Sequence, residues 1–128
     1  MNDEIREGMD VVAPLLNMIG SPEAGLDLVE VAAELVAENA RFNKWVFARK
    51  SRSSPVDLWN MAALVRGHER DLSAAWSGFQ SASDDLRTRR YRELIELLKA
   101  QRDSLRDCRE CDAIAYQDPA MPRELLDF

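Results

Sequence analysis

The sequence predicts an all-α fold, an elongated antiparallel bundle of about four helices. Alanine, leucine, arginine and glutamate are abundant, and all four favour helix. No stretch alternates apolar and polar residues for long, whereas apolar residues recur every three or four positions between strong start and stop signals. A length of 128 residues suits a single domain, 1–128, in which the tail 117–128 is either irregular or a short docking turn.

The first two helices are separated by Gly20. The first is predicted from Asn2 to Ile19, and its apolar stripe is Ile5, Met9, Val12, Leu15, Leu16 and Ile19. The second begins where Ser21 can cap and Pro22 can open a helix, and it ends near Lys50. Its stripe is Leu28, Ala32, Leu35, Asn39, Phe42 and Val46, widened by Val29, Val31 and Val36.

The last two helices also follow serine signals. The third begins with Ser54 as cap, Pro55 and the capping-box acid Asp57, and it continues through Gly67. Its stripe is Leu58, Met61, Ala62, Val65, Leu72, Trp76 and Phe79. The fourth begins at Ser83 and closes at Asp118–Pro119. Its stripe is Tyr91, Leu94, Leu98, Leu105, Cys108, Asp112 and Ala115.

Composition limits where in the cell the protein is expected and which classes of partner it binds. No apolar run is long enough to cross a bilayer, and the acidic start of the chain does not have the basic and then apolar order of a secretory signal. We therefore expect a cytoplasmic protein, without a membrane partner, whose two cysteines stay reduced. The net charge is −6, which disfavours a general nucleic-acid binder.

The bases are nevertheless clustered. Residues 41–70 hold seven bases and two acids, whereas residues 1–40 hold nine acids and one base. In an up-and-down bundle the bases from Arg41 to Arg52 lie beside the acidic start of the first helix and the acidic end of the fourth, and the arginine cluster 87–92 lies beside the acidic start of the second. Internal pairing therefore explains the pattern. The alternative is a surface that binds nucleic acid, with Phe42, Trp45 and Phe47 as stacking rings, or one that binds an acidic protein. The candidate interaction residues are Arg41, Lys44, Trp45, Arg87, Arg89, Arg90 and Arg92.

Two further patterns could hold a metal ion. Cys108 and Cys111 form a C-x-x-C pair on one helix face, but zinc needs two more ligands, and His68 is the only histidine. One histidine also excludes the di-iron bundle pattern. We therefore expect Cys108 in the core, Cys111 beside it and His68 as a half-buried structural residue, with no cofactor and no catalytic residue.

Glu30, Glu34 and Glu38 step by four along the second helix, as acids that line a magnesium site can do. This helix face resembles that of the helical nucleotide pyrophosphohydrolases of the MazG type. The resemblance implies magnesium-dependent hydrolysis of nucleotides. It covers one helix face, and the second acidic pair expected on the third helix is replaced by Glu69 and Asp71, which are two residues apart.

The interpretation that these patterns favour is a non-enzymatic protein-interaction module. An adaptor, an inhibitor or an assembly factor of phage, immunity or chaperone type would fit, with a protein partner. The alternatives are a magnesium-dependent nucleotide pyrophosphohydrolase and a nucleic-acid-binding accessory protein. The wide apolar surface of the second helix also predicts a homodimer, because monomers rarely expose large apolar patches.

Overall fold

The computed structural model describes residues 12–125, and all regular structure within them is helical. The described residues form the four α-helices α1 (Val12–Ile19), α2 (Leu26–Arg49), α3 (Pro55–Gln80) and α4 (Asp84–Cys111). A single 3-10 turn, Lys50–Arg52, follows α2. A second one, Arg123–Leu125, ends the described segment. The all-α bundle is therefore confirmed. At 1.5 Å per residue α2 and α4 are about 36 and 42 Å long, so the bundle is elongated.

Helix α4 packs against both α2 and α3, while α1 packs mainly against α2. Contacts between α3 and α4 run in opposite directions, as the bond from Gln101 to the His68 carbonyl and the Phe79–Tyr91 ring contact show. These two helices are antiparallel, as predicted. Helices α2 and α4 instead run parallel, and theirs is the most extensive helix contact. An up-and-down chain produces this arrangement when its second and fourth helices become neighbours.

The core lies where the apolar stripes of the helices meet. Every residue of the stripe predicted for α2 is buried, and Val31 joins it. In α3 the predicted stripe is buried apart from Leu58, which is half-buried. In α1 the prediction is wrong at one residue, because Leu16 is exposed and Met18 takes its place in the core. The expected stripe residues Ile5 and Met9 lie outside the described residues.

The start of α3 follows its sequence signal. The Ser54 hydroxyl oxygen accepts a hydrogen bond of 3.1 Å from the backbone N–H of Asp57, and Pro55 occupies the first turn. Proline suits this turn because the first helical N–H groups have no partner within the helix. The helix continues through Gly67, as expected.

The predicted start of α2 is wrong by about four residues. Ser21 accepts a hydrogen bond from the Glu23 N–H and forms a turn, and the helix begins only after Gly25. The backbone N–H of Gly25 donates to the Tyr91 hydroxyl oxygen at 2.9 Å. A Cβ atom at this residue would lie 2.8 Å from that oxygen, so a contact with α4 sets where α2 begins.

The predicted end of α4 is wrong as well. The helix stops at Cys111, because Asp112 adopts the left-handed conformation with φ 49°. The N–H of Ala113 then donates to the Cys108 carbonyl at 3.2 Å, which closes the helix in the Schellman manner. Consequently Asp112 and Ala115 do not continue the predicted helical stripe.

The chain after α4 docks on the start of α3. The Trp59 indole N–H donates to a carboxylate oxygen of Asp118 at 2.9 Å, and the Asp118 backbone N–H donates to the Asn60 side-chain oxygen at 2.9 Å. This part of the tail is thus a docked, mostly irregular segment. The last three residues, 126–128, lie outside the described residues. None of the helices within 12–125 is long and apolar enough to cross a bilayer.

Candidate functional site

Arginines of α4 neutralise the acidic side of α2. Arg109 bonds one Glu38 oxygen through two nitrogens, at 2.9 and 3.2 Å, and Arg41 bonds the other oxygen at 3.0 Å. The Glu38 side chain is only 5% exposed. Such a buried carboxylate needs its partners, because removing a charge from water is costly. Arg102 forms an ion pair with Glu34, one helical turn before Glu38 on α2.

The arginine–carboxylate contacts between α2 and α4, which form the α2–α4 seam, continue at the other end of the bundle. Arg87 forms an ion pair with Glu23 and lies over the Phe79 ring. The Tyr91 hydroxyl donates to Asp27 at 2.6 Å, and this hydrogen bond lowers the pKa of Asp27. The expectation that the arginine cluster faces the acidic start of α2 is therefore confirmed for Arg87.

The three glutamates of the predicted magnesium face have different surroundings. Glu30 is exposed, whereas Glu34 and Glu38 are bound by arginines. The positive charge beside these carboxylates is thus supplied by guanidinium groups. Across residues 12–125 no three His, Cys, Asp or Glu side chains are grouped so that they could hold a metal ion.

The remaining bases of the candidate interaction set lie on helix surfaces. Arg89 and Arg90 both pair with Glu93 one turn along α4, and the hydrogen bond from Arg90 is the main cause of the lowered pKa of Glu93. Arg92 and Lys44 are exposed. The cluster at the start of α4 is therefore partly engaged with its own helix.

The aromatic residues among the bases of α2 do not form one stacking surface. Phe42 is fully buried, and Trp45 packs beside it at a ring distance of 5.5 Å. The Trp45 indole donates to Asp112 at 3.1 Å, and its ring carries the Arg49 guanidinium at 4.6 Å. Phe47 alone faces outward. The interpretation of three rings as a platform for bases is wrong for Phe42.

The cysteine pair is arranged as expected. Both cysteines are free; Cys108 is buried against the core and Cys111 is exposed. Burial raises the pKa of the Cys108 thiol, and the carboxylate of Asp107 acts in the same direction. Cys108 therefore stays protonated at neutral pH, which is unsuitable for a nucleophile or a redox centre.

His68 lies at the α3–α4 contact and is half-buried. Burial lowers its pKa from 6.5 to about 4, against the weaker opposing effect of Asp71. The ring is therefore neutral at pH 7. Within residues 12–125, Asp71 acts on the ring through its charge, and the buried Nδ1 atom has no hydrogen-bond partner that would orient the ring for catalysis.

This pKa makes the stability depend on pH in a defined direction. Between about pH 6.5 and 4 the unfolded chain binds a proton at His68 that the folded chain does not. The free energy of unfolding should therefore fall as the pH falls through this range, by up to about 1.4 kcal/mol per pH unit. Urea unfolding of the wild type and of His68→Gln at about pH 7, 6 and 5 isolates the effect, because the carboxylates contribute to both proteins. Equal pH profiles would contradict the prediction.

Sequence reasoning missed the outer face of α2. Seven exposed residues lie on this face at alternating spacings of four and three, and we call them the outer α2 stripe. They are Leu26, Glu30, Ala33, Ala37, Ala40, Lys44 and Phe47. Leu26 and Phe47 are 75% and 60% exposed, the two largest values among the exposed large hydrophobic residues of the described chain. The spacing is present in the sequence, but alanine does not stand out as apolar, and the buried stripe of the same helix carries larger apolar residues.

No protein-family model matches the chain, and no match is found among curated proteins or among solved structures.

Proposed function

We propose that this chain is a non-enzymatic protein-interaction module and that the outer α2 stripe is its binding surface. The observation that carries the proposal is an exposed face of a 24-residue helix, with an exposed large hydrophobic residue at each end. Such a face resembles those that bind another amphipathic helix through residues spaced by three and four.

The chemistry of the remaining candidates favours the same proposal. Glu34 and Glu38 are bound by arginines, Cys108 is a buried thiol, and His68 is neutral and half-buried. These groups serve packing and internal charge pairing. The large apolar ends of the outer α2 stripe, by contrast, stay exposed in the described part of the chain, where only the Lys50 ammonium, 6.0 Å from the ring centroid, lies over Phe47.

Photo-crosslinking at a single residue tests the proposal. A benzophenone amino acid replaces Ala37 at the middle of the stripe, and a matched control carries it at Ser73, which is exposed on α3. In cells that produce the chain, irradiation should yield a protein–protein adduct from residue 37 and none from residue 73. Equal adducts at both residues, or no adduct at residue 37, would contradict the binding surface. An adduct formed only within a single molecule would contradict it as well. Magnesium-dependent hydrolysis of nucleoside triphosphates by the purified chain would contradict the non-enzymatic role.

A further inference from the structure

The outer α2 stripe is nearly symmetric in chemistry about its centre. Ala37 is the midpoint, with Glu30 seven residues before it and Lys44 seven residues after it. Ala33 and Ala40 flank the centre, and the large apolar residues Leu26 and Phe47 lie at the ends. Reversing the helix therefore places apolar residues on apolar residues and an acid on a base.

We infer that the occupant of this stripe is a second copy of the same chain, bound antiparallel about a two-fold axis at Ala37. The inference rests on the proposed function, because it names the partner of the same surface. In the dimer, Leu26 of each copy lies against Phe47 of the other, and Glu30 of each lies against Lys44 of the other. A two-fold contact of this kind uses one patch twice and needs a surface that is complementary to itself.

Charge decides between the two possible directions. In a parallel pair, Glu30 would face Glu30 and Lys44 would face Lys44, so that like charges would meet twice. In the antiparallel pair both contacts become Glu30–Lys44 ion pairs. Like charges that face each other across an interface disfavour a partner, and opposite charges fix the register in which two surfaces meet. The charges of the stripe therefore specify the antiparallel direction.

The size of the side chains decides how closely the helices approach. The three central residues are alanines, and the distance between packed helices depends on the side chains at their contact, with about 8 Å as the lower end. The average spacing of 3.5 residues keeps one face in contact along paired, supercoiled helices. The larger residues at the ends, Leu26 and Phe47, then cover each other.

The strength of the dimer follows from its small contact. One helix pair about 36 Å long lies near or below the lower limit of about 1,200 Å² for standard interfaces. We expect a dissociation constant on the order of micromolar to tens of micromolar. Association is therefore to be measured over a range from about 1 µM to about 1 mM.

Charge reversal tests both the partner and the direction. Sedimentation equilibrium of the wild type should give a mass that rises towards about 29 kDa, twice the 14.6 kDa of one chain. Glu30→Lys and Lys44→Glu should each weaken association about tenfold, since two attractive pairs become repulsive. The double variant E30K/K44E should restore it. Arg70→Glu, an exposed reversal on α3, is the matched control and should leave association unchanged.

Disulfide crosslinking tests the register. In a Cys111→Ser background, Ala37→Cys should form a symmetric disulfide in the presence of oxidised glutathione, because it lies on the axis. Leu26→Cys should not, because its counterpart lies at the far end of the partner helix. Efficient crosslinking at residue 26 would mean a parallel pair and would overturn the inferred direction.

The outcomes separate this inference from the proposed function. A wild-type mass that stays at 14.6 kDa up to about 1 mM, or single reversals without effect, overturns the second copy as the partner. If residue 37 then still yields an adduct to a different protein, the binding surface stands and its occupant is another chain. If residue 37 yields no adduct to any protein, both the inference and the proposed function fail.

Discussion

Replacing Phe42 by alanine should lower the free energy of unfolding by about 3–5 kcal/mol. The side chain is fully buried and packs against Trp45, so alanine would leave a cavity between α2 and the rest of the core. The expected fall in Tm is on the order of 10–20 °C for a chain of this size. Thermal unfolding followed by circular dichroism measures it directly.

Phe47→Ala is the matched control on the same helix. Its side chain is 60% exposed, so the free energy of unfolding of the monomer should change by less than about 0.5 kcal/mol. The same variant should weaken the proposed self-association, because Phe47 ends the outer α2 stripe. If Phe42→Ala and Phe47→Ala changed the Tm alike at low protein concentration, the assignment of the two faces of α2 would be wrong.

Arg109→Leu should lower the free energy of unfolding by about 2–3 kcal/mol. Breaking a buried pair by removing one partner typically costs about 3–5 kcal/mol, because the other charge stays buried. The effect is smaller here because Arg41 still bonds Glu38 and because the Arg109 side chain is 29% exposed. Urea unfolding at neutral pH measures the change.

Two further variants identify the cause. Adding Glu38→Met to Arg109→Leu should recover most of the loss, since an apolar pair of similar volume replaces the ion pair. Arg106→Leu, one turn earlier on α4, should cost less than about 1 kcal/mol, because the side chains of its pair with Asp103 are 40% and 44% exposed, far more than that of Glu38. A double variant as unstable as the single Arg109 variant would indicate that the loss comes from packing and not from the unpaired carboxylate.

The parts of the fold that were predictable from the sequence are those set by local chemistry. Ser54, Pro55 and Asp57 lie within four residues, and their cap forms without help from elsewhere. The buried stripe of α2 likewise follows from helical spacing alone. The start of α2 could not be found this way, because Gly25 is held by Tyr91, which is 66 residues further along the chain. The end of α4 has a similarly distant contact, because the Trp45 indole N–H donates to the Asp112 carboxylate 67 residues further along the chain.

The candidate site shows the same limit. A step of four residues groups Glu30, Glu34 and Glu38 whatever their purpose, so the sequence could not tell a magnesium face from one bound by arginines. The bonds that decide it come from Arg102 and Arg109, 68 and 71 residues beyond their glutamates. The outer α2 stripe is different, because its spacing is local. Its apolar pattern is weak in the sequence because three of its seven residues are alanines.

The contacts between the parallel helices α2 and α4 join residues that are far apart in the sequence, and this separation favours one order of folding. The bonds of the α2–α4 seam join residues 64–71 positions apart, about twice the 33 positions between His68 and Gln101 in the α3–α4 hairpin, so closing it costs about 0.6 kcal/mol more chain entropy than forming that hairpin contact. The α3–α4 hairpin closes a shorter loop and brings α4 back along the bundle. We therefore expect the hairpin to form in the transition state and the arginine–carboxylate seam to close late. Until then Glu38 is paired with Arg41 alone, and its loss of water is fully offset only when Arg109 also bonds it.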